Sequence, residues 1–110
     1  MIIGLGCDIV QLSRMKDSRD AIAKRILSDS EWNQYQSFYG QRQLEFLAGH
    51  FAAKEALIKA LPTNYQMKDL SISYYEQKPK VDIEGYTISL SISHEKEYAT
   101  SVAVVESVEG

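Results

Sequence analysis

Glu55 and Lys59 stand one helical turn apart in the run EFLAGHFAAKEALIKAL, residues 45–61, which has no proline and one glycine, Gly49. On a wheel at about 100° per residue, Leu44, Leu47, Ala48, Phe51 and Ile58 form an apolar stripe. Glu55 falls in its middle and Lys59 at its edge, while Phe46, Ala53, Leu57, Ala60 and Leu61 make the back apolar too. A helix apolar nearly all round is buried. The pattern therefore predicts a carboxylate within a buried face, where such a group needs a partner. One reading is an i,i+4 ion pair from Glu55 to Lys59, in the favoured orientation. The other is a metal-binding or catalytic carboxylate at the mouth of a cleft, with Lys59 further along the same wall. The second reading requires another acid from elsewhere in the chain.

Asp8 is the candidate. Residues 1–12 read as a strand with Ile3, Leu5, Cys7 and Ile9 on one face and Ile2, Gly4, Gly6, Asp8 and Val10 on the other. Glycines inside a strand often mark the close approach of a ligand or another backbone, and Asp8 shares their face. Taken alone, it is equally compatible with turn chemistry. His94 follows three alternating hydroxyls, Ser89, Ser91 and Ser93. Such a group can hold phosphate oxygens, although a strand-end histidine and outward serines are also ordinary surface features.

The elements that must position these residues are legible in outline. Ser13 can cap a short basic helix running to about residue 27. Ser28-Asp-Ser-Glu31 is a capping-box pattern that opens a second helix through Trp32, Tyr35 and Phe38, ended by Gly40. The long helix, from about residue 41 to 61, is stopped by Pro62. Leu70, Ile72 and Tyr74 alternate with serines. Lys78-Pro79 interrupts before a short extended run at 80–83, and Glu84-Gly85 turns the chain. Residues 87–93 alternate strictly, and 98–106 return as a β-branched strand. The predicted architecture is α+β: one strand, three helices and a β meander, with helices packed on an antiparallel sheet and one long central helix.

At 110 residues the chain is read as a single domain, 1–110. No apolar run approaches the ~20 residues of a membrane span, and neither a signal peptide nor an internal disulfide is expected with a Met-Ile-Ile-Gly start and a single Cys7. A cytoplasmic protein is expected. One cysteine and two histidines argue against a structural zinc site. The net charge of −3 argues against general nucleic-acid binding. Residues 14–25, however, hold Arg14, Lys16, Arg19, Lys24 and Arg25 against Asp17 and Asp20, so this segment is +3 and the remainder −6. A concentrated basic face on an acidic chain suits either an acidic partner or plain solvation.

The same residues carry a family resemblance. Ile3-Gly-Leu-Gly-Cys-Asp-Ile-Val10 with Arg14, Phe46-Leu-Ala-Gly-His-Phe-Ala-Ala-Lys-Glu-Ala56 with Lys59-Ala60, and Ser91-Ile-Ser-His94 with Tyr98-Ala99 resemble, in order, the three motifs of the 4'-phosphopantetheinyl transferases. Length and motif order are similar to the short holo-[acyl-carrier-protein] synthase type. The resemblance implies Mg²⁺-dependent transfer of phosphopantetheine from coenzyme A to a serine of apo acyl carrier protein, with release of 3',5'-ADP. It implies Asp8 and Glu55 as magnesium ligands and Lys59 on the pyrophosphate. His94, with Ser93, would sit at the nucleotide end, and Lys54 would support the same charge. Arg14 and Arg25 would face the carrier protein. It also implies a homotrimer, in which the first motif of one subunit completes a site with the second motif of another. The nucleophile belongs to the partner, in keeping with the lack of a Ser/His/Asp or Cys/His constellation here. Its proton would go to a metal-bound water or to one of the carboxylates.

Three departures accompany the resemblance. His50 stands where an arginine on the nucleotide phosphate is usual, and a histidine of ordinary pKa, about 6.5, would hold phosphate less well as pH rises. Pro62-Thr63-Asn64 replaces a Gly-Thr-Gly turn, and Gln77-Lys78-Pro79 replaces Gly-Lys-Pro. The alternatives are a weakened or non-catalytic paralogue that binds coenzyme A or a carrier protein, and an oligomeric scaffold whose Glu55–Lys59 pair is structural.

Overall fold

The computed structural model describes residues 1–108. Strand β1 (Ile2–Gln11) leads through two 3₁₀ turns (Leu12–Arg14, Lys16–Ser18) into α1 (Arg19–Ile26), α2 (Asp29–Gln36) and the 21-residue α3 (Gly40–Ala60). A 3₁₀ turn (Met67–Asp69) precedes the hairpin of β2 (Ser73–Tyr75) and β3 (Lys78–Lys80). The chain closes with β4 (Tyr86–His94) and β5 (Tyr98–Ser107). The sheet is antiparallel, in the order β1-β5-β4, and β2-β3 form a separate two-stranded hairpin. The α+β class with helices on an antiparallel sheet holds. The single meander does not, because the hairpin is not hydrogen-bonded into the main sheet.

Local chemistry explains the boundaries. Ser28 and Glu31 form the full capping box at the start of α2, with the Ser28 N–H donating to Glu31 Oε1 at 2.8 Å. Gly40 has φ +52, a turn value that most side chains resist, and it breaks the path between α2 and α3. At its other end α3 stops because Leu61 must be extended (φ −78, ψ 143) ahead of Pro62. The basic helix is shorter than expected, since residues 12–18 coil into 3₁₀ turns first. Pro79 does not interrupt a strand but pairs with Tyr74 inside the hairpin. The turn there is Glu76-Gln77, at φ 50 and φ 67. Gln77 thus stands in the left-handed region where a glycine would be at ease.

The chain itself buries α3 on both sides. One core cluster joins Leu44, Phe46, Leu47 and Ala48 to Leu12, Met15, Ala23, Ile26, Leu27 and Tyr35. The other joins Ala56, Leu57 and Ala60 to Leu70, Val81, Ala103 and Val105. The two-sided apolarity of the helix is therefore satisfied within one protomer. The uncovered apolar surface lies instead on the outer face of β1 and β5, where Ile3, Leu5, Ile9 and Val102 are 43–69% exposed. Among the described residues no helix is long and apolar enough to cross a membrane.

Candidate active site

Gly4 and Gly6 lay β1 directly on α3. A Cβ on Gly4 would stand 1.7 Å from the Ala60 carbonyl oxygen, and one on Gly6 would stand 2.0 Å from that of Ala56. Two strand residues thus advance about as far as one helical turn, and continuing the step brings Asp8 beside the turn that spans residues 52–55. Helix side chains lean toward the N-terminus. Lys59 accordingly reaches back to donate to the Cys7 carbonyl at 2.9 Å and to Asp8 Oδ1 at 3.2 Å. The Asp8 main chain is held from the other side, its carbonyl accepting from the Thr100 hydroxyl at 2.9 Å.

Asp8, Lys59 and the turn carrying Glu55 therefore meet within a single chain. The first and second motifs thus approach each other inside one protomer. This leaves no Glu55–Lys59 pair, because Lys59 pairs with Asp8, and the scaffold alternative loses its basis. Glu55 is half-buried rather than enclosed. Two carboxylates that keep contact with solvent are a hard-oxygen donor set suited to Mg²⁺, which takes one or two protein carboxylates and fills its other positions with water and phosphate. No group of three or more metal-ligating side chains gathers among the described residues.

A cleft of about 520 Å³ opens nearer the start of α3. Arg42, Glu45, Phe46, Gly49 and His50 line it, and their i, i+3, i+4, i+7, i+8 spacing puts them on one helix face. Ile92 and His94 of β4 form a second wall, and Tyr74, Gln77 and Pro79 of the hairpin a third. Gly49 lies about 9 Å along the axis from Glu55 at 1.5 Å per residue. Arg42 is exposed and stacks its guanidinium 4.7 Å from the Phe38 ring centroid. Sequence reasoning missed Arg42, although its helical spacing to His50 was available as a signal.

His94 is 38% exposed at the cleft, with Nδ1 3.9 Å from Glu45 Oε2. Ser93 points to the opposite face of β4, because neighbouring strand residues alternate, so it does not join His94 in this cleft. His50 backs the cleft but is only 2% exposed. Its Nδ1 lies 2.7 Å from the Phe46 carbonyl and must carry the hydrogen, leaving Nε2 to accept from the Tyr74 hydroxyl at 3.3 Å. Burial holds its pKa below the ordinary histidine value, so its charge does not vary over neutral pH as a free histidine's would. Burial also pushes the Tyr74 hydroxyl up to about 12, with the nearby Glu31 charge contributing.

Lys54 is not at the cleft. It is fully buried, donating to the Ile26 and Met67 carbonyls at 2.8 Å each and to Glu31 at 2.5 Å. The expected cofactor contact through Lys54 is thus corrected: all three ammonium hydrogens have internal acceptors. Glu31, read from sequence only as a cap, is the carboxylate that is actually enclosed. Arg14 and Arg25 are both exposed, in the first 3₁₀ turn and the last turn of α1. Arg19, from the same basic segment, instead turns inward to donate to the Gly40 carbonyl at 3.0 Å.

The family model described as the 4'-phosphopantetheinyl transferase superfamily matches residues 4–103. The chain belongs to this family. Among its relatives, a holo-[acyl-carrier-protein] synthase of Staphylococcus aureus (strain N315) is 39% identical over 115 residues, covering 96% of this chain and 97% of that one. A solved structure of a holo-(acyl-carrier-protein) synthase from Bacillus anthracis, in complex with CoA (3',5'-ADP), superposes with a TM-score of 0.91 at 38% identity, covering 97% and 98% of the two chains. A holo-[acyl-carrier-protein] synthase of Helicobacter pylori in complex with coenzyme A gives 0.75 at 27% identity, covering 93% and 99%.

Proposed function

We propose that this protein transfers 4'-phosphopantetheine from coenzyme A to a serine hydroxyl of an apo acyl carrier protein, releasing 3',5'-ADP. The observation that carries this reading is the convergence of Asp8, Lys59 and the Glu55 turn in one chain, on the same helix that lines the cleft. The relatives' names and their complexes with coenzyme A support it. The serine oxygen forms a bond to the β-phosphorus as the bond from that phosphorus to the ADP oxygen breaks.

Asp8 and Glu55 would hold Mg²⁺, which when bound supplies neutralisation of charge on the transferring phosphoryl group. Lys59, drawn off Asp8, offers its compact charge to the pyrophosphate oxygens of the leaving group. The cleft between Arg42, His94 and Tyr74 receives the nucleotide. Arg14 and Arg25 meet acidic residues of the carrier protein. The exposed outer face of β1 and β5 supports a homotrimer closed through that surface, since apolar patches of this kind mark interaction sites.

The test is the intact mass of apo acyl carrier protein after incubation with this protein, coenzyme A and Mg²⁺. The expected result is the added mass of one phosphopantetheine group. An unchanged mass, with carrier protein that a reference transferase can modify, refutes the reading. Retained binding of coenzyme A without turnover would then favour the non-catalytic paralogue.

A further inference from the structure

The transfer chemistry leaves one buried charge pair unused. Lys54 and Glu31 are both 0% exposed, and neither touches the cleft or the Asp8–Lys59 contact. Their bonds tie α3 and α2, which line the cleft, to the segments that lead into α2 and into the hairpin. Lys54 Nζ ties α3 to the end of α1 through the Ile26 carbonyl, to α2 through Glu31, and to the turn before the hairpin through the Met67 carbonyl. Glu31 Oε2 accepts from the Ile72 N–H at 2.7 Å, immediately before β2. Two residues on, Tyr74 returns to α3 through its hydroxyl on His50 Nε2. The path leaves the helix at residue 54 and rejoins it one turn earlier, at residue 50.

We propose that the Lys54–Glu31 pair is a positioning device for the cleft, fixing the β2–β3 hairpin against α3 so that Tyr74 and Gln77 form its third wall. A buried ion pair is weak evidence for stability, since its desolvation offsets most of its attraction. Its geometric effect is firmer: every hydrogen of the ammonium and both oxygens of the carboxylate have assigned partners, which leaves the hairpin base one position. The residue that sets the wall thus neighbours Glu55, so the two regions share a helical turn. The link to coenzyme A affinity rests on the function proposed above. The placement of the hairpin does not.

The test compares the wild type with the double variant Glu31→Gln/Lys54→Met, which removes both charges while the glutamine oxygen can still accept one backbone N–H. Hydrogen exchange at the 73–80 amides, without ligand, should be at least about tenfold faster, with β1 and β5 unchanged. Coenzyme A Kd should rise about tenfold, with kcat at saturation within about threefold, because Asp8, Glu55 and Lys59 are untouched. Unaltered exchange in a folded variant overturns the proposal. Faster exchange with a wild-type Kd overturns its extension to the cleft. If the wild type itself binds no coenzyme A, the proposed function fails, and exchange alone decides the positioning. Should the double variant not fold, the isosteric single variant Glu31→Gln decides by exchange: wild-type exchange at the 73–80 amides overturns the proposal, and faster exchange there with β1 and β5 unchanged sustains it.

Discussion

Gly6→Ala tests the link from packing to chemistry most directly. The added methyl would meet the Ala56 carbonyl oxygen at 2.0 Å, where ordinary contact begins at 3.4 Å, so β1 must retreat from α3 by about 1.4 Å. The obstacle is helix backbone, which cannot rotate aside, and such overpacking costs on the order of 3 kcal/mol. At roughly 4 °C per kcal/mol or more, the melting midpoint should fall by about 12 °C. Asp8 lies two residues along the same strand, and its contact with Lys59 is already 3.2 Å. A displacement of this size misplaces a catalytic group enough to cost about 10²-fold in rate. Gly85→Ala is the control: its φ is +91 and nothing lies within 4 Å of the added carbon. It should lose about 1–2 kcal/mol from backbone strain alone and keep full transfer activity. Urea unfolding at one protein concentration and carrier-protein mass kinetics read the two effects. If Gly6→Ala loses stability but transfers phosphopantetheine at the wild-type rate, the placement of Asp8 by this contact is wrong.

Asp8→Asn and Glu55→Gln should each nearly abolish transfer while leaving circular dichroism unchanged, and EDTA should do so reversibly; full activity in either variant at saturating Mg²⁺ would refute the metal assignment. His50 is held neutral by burial, so the unfolded chain takes up its proton first as pH falls: its stabilisation is fully present above about pH 6.5 and is lost below it, at up to about 1.4 kcal/mol per pH unit. Thermal midpoints from about pH 7.5 to 5 should show a slope that His50→Gln flattens. Arg14→Glu and Arg25→Glu should raise the carrier-protein KM by about tenfold each with the coenzyme A KM unchanged, and added salt should weaken the wild type toward them. Light scattering at micromolar concentration should give a trimer that Leu5→Lys dissociates, and a wild-type monomer with intact activity would exclude the trimer.

What the sequence showed follows from where the relevant contacts lie. Gly4, Gly6 and Asp8 were readable as one strand face because alternation is a local rule, and the close approach they signalled is to α3. The capping box at Ser28 and Glu31 was readable for the same reason. The second use of Glu31 was not, since Lys54 is 23 residues away and Ile72 is 41 away. The motif implies that Lys54 supports the phosphate charge because it sits beside Glu55. One residue along a helix is about 100° of rotation, however, and that rotation turns Lys54 into the interior while Glu55 keeps contact with solvent. Ser93 fails for the analogous reason in a strand, where one residue changes face. The start of the hairpin is not legible in the sequence because Leu70 and Ile72 are buried without being strand, and alternation alone cannot separate the two.

The fate of His50 and Lys54 narrows what can hold nucleotide phosphate in the cleft. A neutral ring with both nitrogens engaged gives no charge, and an ammonium with three internal acceptors gives none outward. Among the described residues, the remaining basic side chains on the cleft wall are Arg42 and His94. Arg42 is charged at every working pH and rests against Phe38, which limits its motion. His94 is solvent-exposed and faces Glu45, with Nδ1 3.9 Å from Glu45 Oε2. If the nucleotide occupies the cleft as proposed, Arg42→Ala should weaken coenzyme A binding at all working pH values. A wild-type affinity in Arg42→Ala across that range would place the nucleotide outside this cleft, and with it the route by which α3 joins the cleft to the transfer site.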